Sequence, residues 1–280
     1  MICPNIYNQI NINFHGNIIF KDFWSLQIMN PKVHILILNW NGEKHLSQCI
    51  DSIKEINYSN YQITVIDNNS SDQSISKINH GDINIISHSK NYKYAKGYNK
   101  AIFSLKNDNS DYYLLLNNDT ICHSDILSSF IKGLNSYGPN NIFGAKILYQ
   151  NQKNKIWYAG GKFGFFNLFI SHKGIRKIDG EQFNSNCETN YITGCCLFIS
   201  KQNFIKLKGF DESFNMYGED VDLCIRAQKL GMKCYFISDS KLWHSVSSSY
   251  GGHYSFLKQK AKLISLLKLI IKYPKELIFG

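Results

Sequence analysis

Apolar residues fall along this chain in an alternation of short runs and helical spacings. Val33–Leu38 is an apolar run of the kind a strand buried on both faces requires, and Leu46, Cys49, Ile50 and Ile53 follow it at helical intervals. Tyr61–Ile66 reads as a second strand ending at Asp67, and Ser70-Ser71-Asp72 as the cap of a short helix through Ile78. Ile83–Ile86 is a third strand, Tyr98–Leu105 is helical, and Tyr112–Leu116 is a fourth strand ending at Asn117-Asn118-Asp119. A further helix carries Leu127, Phe130, Ile131 and Leu134. Strands and helices alternating at this spacing predict an α/β fold built on a parallel, doubly wound sheet.

After Tyr137-Gly138-Pro139 the alternation loosens. Short strands are expected near Phe143–Tyr149 and Cys195–Ser200, on either side of an aromatic, Gly-rich stretch from Trp157 to Phe169. A helix carries Val221, Leu223, Cys224, Ile225, Ala227 and Leu230, closed by Gly231. Asp222 and Arg226 are expected to pair on its outer face at i,i+4. Tyr254–Phe279 is amphipathic, with Lys258, Lys260, Lys262, Lys268, Lys272 and Lys275 beside Leu and Ile. The divisions expected are an extension over 1–30, a domain over 31–250 with halves at 31–138 and 139–250, and a helical tail over 251–280. Met29 directly precedes the first strand and is a candidate start.

Composition narrows the function classes. The 280 residues are 44% hydrophobic and 14% aromatic, as a globular chain requires. The 31 basic and 21 acidic side chains leave a charge of +10, which calls for an anionic partner: nucleic acid, an anionic membrane or a phosphorylated small molecule. Lysines are dispersed before the tail and no nucleic-acid motif occurs, so nucleic acid is not expected. The eight cysteines form no C-x-x-C pair and several lie in apolar runs, which predicts buried thiols in a reducing compartment. Without a signal-peptide pattern or a long apolar segment, the expected location is cytoplasmic, with the tail on the inner face of the membrane as a hypothesis.

Candidate chemistry gathers where strands end. Ligands of open parallel sheets bind beyond the carboxyl ends of the strands, and this chain places Asn39 and Asn41, Asp67 and Asp119 there. No P-loop or G-x-G-x-x-G fingerprint is present. A site that holds a diphosphate without a glycine cradle needs a divalent cation on oxygen ligands, and Asp119 is the natural one. Glu219 and Asp220 fall at a helix entrance, where backbone N–H groups favour a carboxylate.

These pieces together resemble the family 2 glycosyltransferases of GT-A fold, especially their rhamnosyltransferase-like branch. The resemblance runs from about Val33 to Tyr250 and rests on Ile37-Leu38-Asn39-Trp40-Asn41-Gly42, Val65-Ile66-Asp67-Asn68-Asn69-Ser70-Ser71-Asp72, Leu116-Asn117-Asn118-Asp119-Thr120, Thr193-Gly194, Gly209-Phe210-Asp211-Glu212-Ser213-Phe214, the stretch from Gly218 to Arg226, and Trp243-His244. It implies a Rossmann-like, mostly parallel sheet and transfer of a sugar, with inversion, from a nucleoside-diphosphate donor (UDP- or dTDP-sugar, dTDP-rhamnose among them) to a glycan or lipid-linked acceptor. By the same resemblance Asp67 meets the base, Asn39 and Asn41 line its pocket, and Asn117 approaches the ribose, with Asn118 and Lys96 also on the donor side. Asp119 and His244 would hold Mg²⁺ or Mn²⁺, and Asp220 would be the general base with Glu219 beside it.

Two features depart from the pattern. Asn91-Tyr92-Lys93-Tyr94-Ala95-Lys96-Gly97-Tyr98-Asn99 puts lysines where the family has glycines, and the metal motif is Asn-Asn-Asp in place of Asp-x-Asp. A polyprenyl-phosphate sugar synthase on the same fold and an inactive sugar-nucleotide-binding module are the alternatives the sequence leaves open.

Overall fold

The computed structural model describes residues 30–78, 81–164, 167–246 and 256–278. The expected extension over 1–30 falls outside these apart from its last residue. Strands are β1 (Val33–Asn39), β2 (Tyr61–Asp67), β3 (Ile83–Ser87), β4 (Tyr112–Asn117), β5 (Thr120–Cys122), β6 (Ile142–Tyr149), β7 (Gln152–Tyr158), β8 (Gly161–Gly164), β9 (Asn167–His172), β10 (Cys187–Thr189), β11 (Cys196–Ser200) and β12 (Cys234–His244). Helices are α1 (Leu46–Lys54), α2 (Lys93–Ser104), α3 (Ile126–Tyr137), α4 (Lys201–Lys206), α5 (Glu219–Lys229), α6 (Phe256–Lys272) and α7 (Pro274–Ile278).

The large sheet runs β10-β12-β6-β11-β4-β1-β2-β3, with β5 on β12 and β7 on β6. Strands β3, β2, β1 and β4 are mutually parallel, β11 runs antiparallel between β4 and β6, and β12 is parallel to β6. The expected α/β, mostly parallel Rossmann-like sheet is therefore present, interrupted by the reversed β11, with β10, β5 and β7 also reversed beside β12 and β6. Ile35, Leu36, Ile37, Leu114, Leu115 and Leu116 have essentially no exposed surface, because helices cover both faces of β1 and β4. Register places Asn39 beside Asp67 and Asp67 beside Ser87, so the strand-end polar residues share one rim.

Three local expectations need correction. No helix forms at 72–78, which is a run of turns: the Asp72 carboxylate instead accepts from the backbone N–H groups of Glu43 (2.9 Å) and Ser74 (3.1 Å). Helix α2 starts at Lys93, five residues ahead of Tyr98, held there by Asn68 and Asn91. Asp222 does pair with Arg226 (2.7 Å), but it has no exposed surface and is not on an outer face.

The tail covers Asp222. Lys272 Nζ and Tyr273 Oη donate to its Oδ1 at 2.5 and 2.7 Å, and Lys272 also reaches Asp211 at 2.6 Å. Ser265 donates to the Met216 carbonyl and Lys268 to that of Ser213, while Leu269, Tyr273 and Leu277 are buried. Arg226 extends the junction to the carbonyls of Leu207 (2.5 Å) and Gly209 (2.8 Å). The tail is thus a docked element that fastens the 211–218 loop ahead of α5.

Asp222→Ala removes the common acceptor of Arg226, Lys272 and Tyr273. Breaking a fully buried ion pair costs about 3–5 kcal/mol; because Arg226 and Lys272 keep some access to water here, the expected loss is about 2–4 kcal/mol. The urea midpoint of the variant against wild type measures it, and a change under about 0.5 kcal/mol would remove this junction from the forces holding the tail.

Candidate active site

The rim starts from Asn39. Its amide donates to Ser70 Oγ (3.1 Å) and Ser74 Oγ (2.9 Å), and its Oδ1 accepts from Asn118 Nδ2 (2.7 Å). Asn39 is fully enclosed, so in place of lining a pocket it locks the loop after β2 to the loop after β4. Gly42 makes this possible: a Cβ there would lie 2.2 Å from both Asn39 Oδ1 and Asn118 Nδ2. Asn41 is exposed with a left-handed φ of 52°, and its Oδ1 accepts from the Ser71 N–H (2.8 Å). Asp67 is half-buried at the end of β2 and caps the Ser70 N–H at 3.2 Å. Asn117 and Asn118 are half-buried at the end of β4.

Asp119 and His244 meet because β5 and β12 pair antiparallel, with His244 opposite Thr120. The Ser245 N–H fixes the Asp119 carbonyl at 2.9 Å. His244 Nε2 stands 3.1 Å from Asp119 Oδ1, and both residues are more than nine-tenths buried. The other ring nitrogen of His244, Nδ1, is buried without a hydrogen bond. Two neighbouring ligands at about 2.1 Å from one octahedral cation stand about 3.0 Å apart, so this pair fits one hard cation. The imidazole packs edge-on against Trp157 (4.7 Å between centroids), which also meets His172 at 4.4 Å. Below the rim Cys49 Sγ lies 3.7 Å from the Asn117 carbonyl oxygen, and burial pushes its thiol up to about 12, so it stays neutral.

The second acid pair enters from α5. Gly218 takes a left-handed φ of 87° to turn the chain into the helix. Asp220 Oδ2 accepts from the Gly194 N–H (2.9 Å) and Oδ1 from its neighbour's N–H at Val221 (2.8 Å). Gly194 is itself pinned by Tyr94, whose hydroxyl donates to its carbonyl at 2.6 Å. Glu219 is 7% exposed and its Oε2 has no hydrogen-bond partner. Burial, reinforced by the Asp220 charge, pushes Glu219 up to about 8. Asp220 is raised too, by burial, while the two backbone N–H groups oppose the shift.

The segment 193–195 joins the two acidic centres. Its Gly194 N–H holds Asp220, and its Cys195 carbonyl accepts from the Asn117 N–H (3.1 Å) at the head of the loop that carries Asp119. Asp220 and the loop that carries Asp119 are therefore tied to one short stretch of backbone.

Of the two lysines at positions where the family pattern has glycine, Lys96 is held in an ion pair. Its ammonium pairs with Glu212 at 3.3 Å and lies near the Tyr92 ring. Lys93, in left-handed backbone at φ 64°, is the one whose Nζ lies over the Trp40 ring, 5.7 Å from its centroid. Asn68 was also missed as a site residue: its amide bonds Asn91 Oδ1 and the Lys93 carbonyl, both at 3.0 Å, and its Oδ1 accepts from the Tyr92 N–H. The signal was present, since a buried Asn directly after a strand-end Asp demands backbone partners.

Comparison with known proteins agrees with the fold. The chain is 24% identical over 238 residues to rhamnosyltransferase WbbL of Escherichia coli K12, covering 81% of this chain and 87% of that protein. It is 27% identical over 206 residues to a low-salt glycan biosynthesis hexosyltransferase of Haloferax volcanii, covering 72% of this chain and 64% of that one. Among solved structures, GalNAc-T7 with UDP, GalNAc and Mn²⁺ superposes with TM-score 0.67 at 12% identity, over 86% of this chain and 48% of that chain. The mannosyltransferase PcManGT of Pyrobaculum calidifontis with GDP-Man and Mn²⁺ gives 0.63 at 14%, over 92% and 71%. A family model described as the N-terminal domain of galactosyltransferase matches residues 175–248. The model for glycosyl transferase family 2 matches residues 34–207, more than half of the chain, and the protein belongs to that family.

Proposed function

We propose that the protein transfers a sugar, with inversion at the anomeric carbon, from a nucleoside-diphosphate donor to a hydroxyl of a glycan or lipid-linked acceptor, in the assembly of a cell-wall or surface polysaccharide. The observation that carries this reading is that Asp220 and the loop bearing Asp119, with His244 against it, are both tied by hydrogen bonds to the 193–195 backbone. The rhamnosyltransferase relative makes dTDP-rhamnose the first donor to try, within a set of UDP- and dTDP-sugars.

Asp119 Oδ1 and His244 Nε2 would hold Mg²⁺ or Mn²⁺. A bound cation of this kind supplies Lewis-acid stabilisation of the charge that builds on a departing diphosphate. Among the described residues no group of three or more His, Cys, Asp and Glu side chains surrounds one point, so Asp119 and His244 are the residues that would hold the cation. Asp67 and Asn41 would face the nucleoside end of the donor, and Asn39 holds Asn118 in place through its Oδ1.

Asp220 acts as general base. It is the carboxylate of the acid pair that two backbone N–H groups stabilise in the charged form, whereas Glu219 lacks a partner for Oε2 and stays protonated at neutral pH. A neutral neighbour leaves the single negative charge on Asp220, where the acceptor's proton is to go. Proton removal of this kind contributes about 10²–10⁴-fold.

Asp220→Asn is expected to lower kcat by about 10²–10⁴-fold with donor affinity little changed, whereas Asp119→Ala is expected to abolish the Mn²⁺ dependence of donor binding. Nucleoside-diphosphate release, measured with a panel of UDP- and dTDP-sugars and titrated with EDTA, reads both. Undiminished turnover in Asp220→Asn would overturn the assignment of the base.

The acid pair also sets a stability profile. Glu219 binds its proton more tightly folded than unfolded, so its contribution is fully present below the unfolded carboxyl range near 4.5 and is lost as pH rises through about 8. Thermal unfolding of wild type should therefore weaken between about pH 5 and 8 relative to Glu219→Gln, whose curve is expected to be flatter. Parallel curves for the two proteins would show that Glu219 is ionised in the folded state.

A further inference from the structure

Helix α6 is apolar on two sides. One side is spent on the body of the protein: Leu269 is fully covered, Ser265 is bonded to the Met216 carbonyl, and Tyr273 just past the helix end is buried against Asp222. The other side is open. Phe256, Leu263, Ile264, Leu267 and Ile271 are 79%, 57%, 55%, 51% and 81% exposed. At 3.6 residues per turn these five fall within an arc of about 100°, so they form one continuous ridge along the helix.

The charges around the ridge are of a single sign. The 17 residues of α6 contain five lysines and no acidic residue. Lys260 lies within the apolar arc and is exposed, and Lys275 of α7 is exposed beyond its end. A second copy of this chain, itself carrying +10, would bring like charge against like if it docked here. The ridge is convex and offers no groove for a partner's side chains. A lipid interface needs no such complementarity: it takes an apolar ridge into the acyl boundary and lysines against anionic headgroups.

We infer that α6 seats this protein on an anionic lipid bilayer, with Phe256, Leu263, Ile264, Leu267 and Ile271 inserted at the headgroup boundary and Lys260 and Lys275 at the lipid phosphates. Attachment is peripheral, because no described helix is long and apolar enough to cross a membrane. The other face of α6 holds the loop that leads into α5 through Lys268 on Ser213 and Lys272 on Asp211. The bilayer surface therefore lies one helix thickness, about 10 Å, behind that loop. Docking does not depend on the transferase reading, and the two are tested separately.

The experiment is co-sedimentation of the full chain with vesicles of phosphatidylcholine containing phosphatidylglycerol, and with pure phosphatidylcholine vesicles. Wild type is expected to sediment with the anionic vesicles and to be released by raised salt. The exposed positions allow Leu267→Asp with Ile271→Asp to fold, as far-UV circular dichroism and an unchanged melting temperature would show, and this variant should remain in the supernatant. Lys260→Glu with Lys275→Glu should weaken binding about ten-fold or more. Wild type that ignores anionic vesicles, or a double-Asp variant that binds as wild type does, overturns the inference. A wild-type dimer by light scattering that the double-Asp change converts to monomer would assign the ridge to a second copy and overturn it equally.

Discussion

A carboxylate taken out of water needs its compensation built into the fold, and four acids of this protein obtain it in four ways. Asp119 faces the His244 imidazole, Asp220 accepts two backbone N–H groups, and Asp222 takes Arg226, Lys272 and Tyr273. Glu219 is compensated by a proton. Three of the four are consecutive or nearly so on one helix turn, where ionising all of them would be prohibitive at such burial. The division of labour follows from that constraint: the fold fixes one charge at Asp222 by ion pairing, permits one at Asp220 by hydrogen bonding, and suppresses the third.

That division makes the C-terminal helix part of the core. Without Lys272 and Tyr273, Asp222 would be a buried charge with Arg226 alone, and α5 would start from a loop with little to hold it. Ser265, Lys268 and Lys272 each bond a different residue of 211–222, so the tail acts as a clasp over the acid-bearing helix entrance. A segment that reads in isolation as a solvated amphipathic helix is, on one side, structural.

The rim acids were legible because an apolar strand that stops at a polar residue announces its end and the side chain placed there; Asp67 and the Asn117-Asn118-Asp119 that closes β4 are of this kind. The acid helix was legible for a similar reason, from Gly218 through Gly231. Pairings across long separations were legible only through the family resemblance, as for Asp119 and His244, or not at all. Asp119 meets His244 only through the antiparallel β5–β12 contact, and nothing local marks the three residues of β5 as a strand. Asp222 looked solvent-facing because its partners lie 50 residues on, in a segment whose own pattern suggested independence. The missing helix at 72–78 has a local cause: Ser70, Asp72 and Ser74 spend their side chains on Asn39, Asn41 and Glu43, and each such bond competes with a helical one. Lys146 gave no sign at all: its ammonium, on the otherwise apolar β6, is fully buried on Asp179 and Asn184.

Lys93 shows how a departure from the family pattern is accommodated. A lysine in left-handed backbone costs about 1–2 kcal/mol relative to a glycine, and the fold keeps it there with Asn91 on its N–H and Asn68 on its carbonyl. Asn41, across the rim, is left-handed as well. Such strain persists where the surroundings over-determine the chain, and four further non-glycine residues, Asn69, Arg176, Lys208 and Tyr217, are left-handed too. In place of a glycine the chain carries an ammonium on a flexible stem, and that ammonium lies over the Trp40 ring.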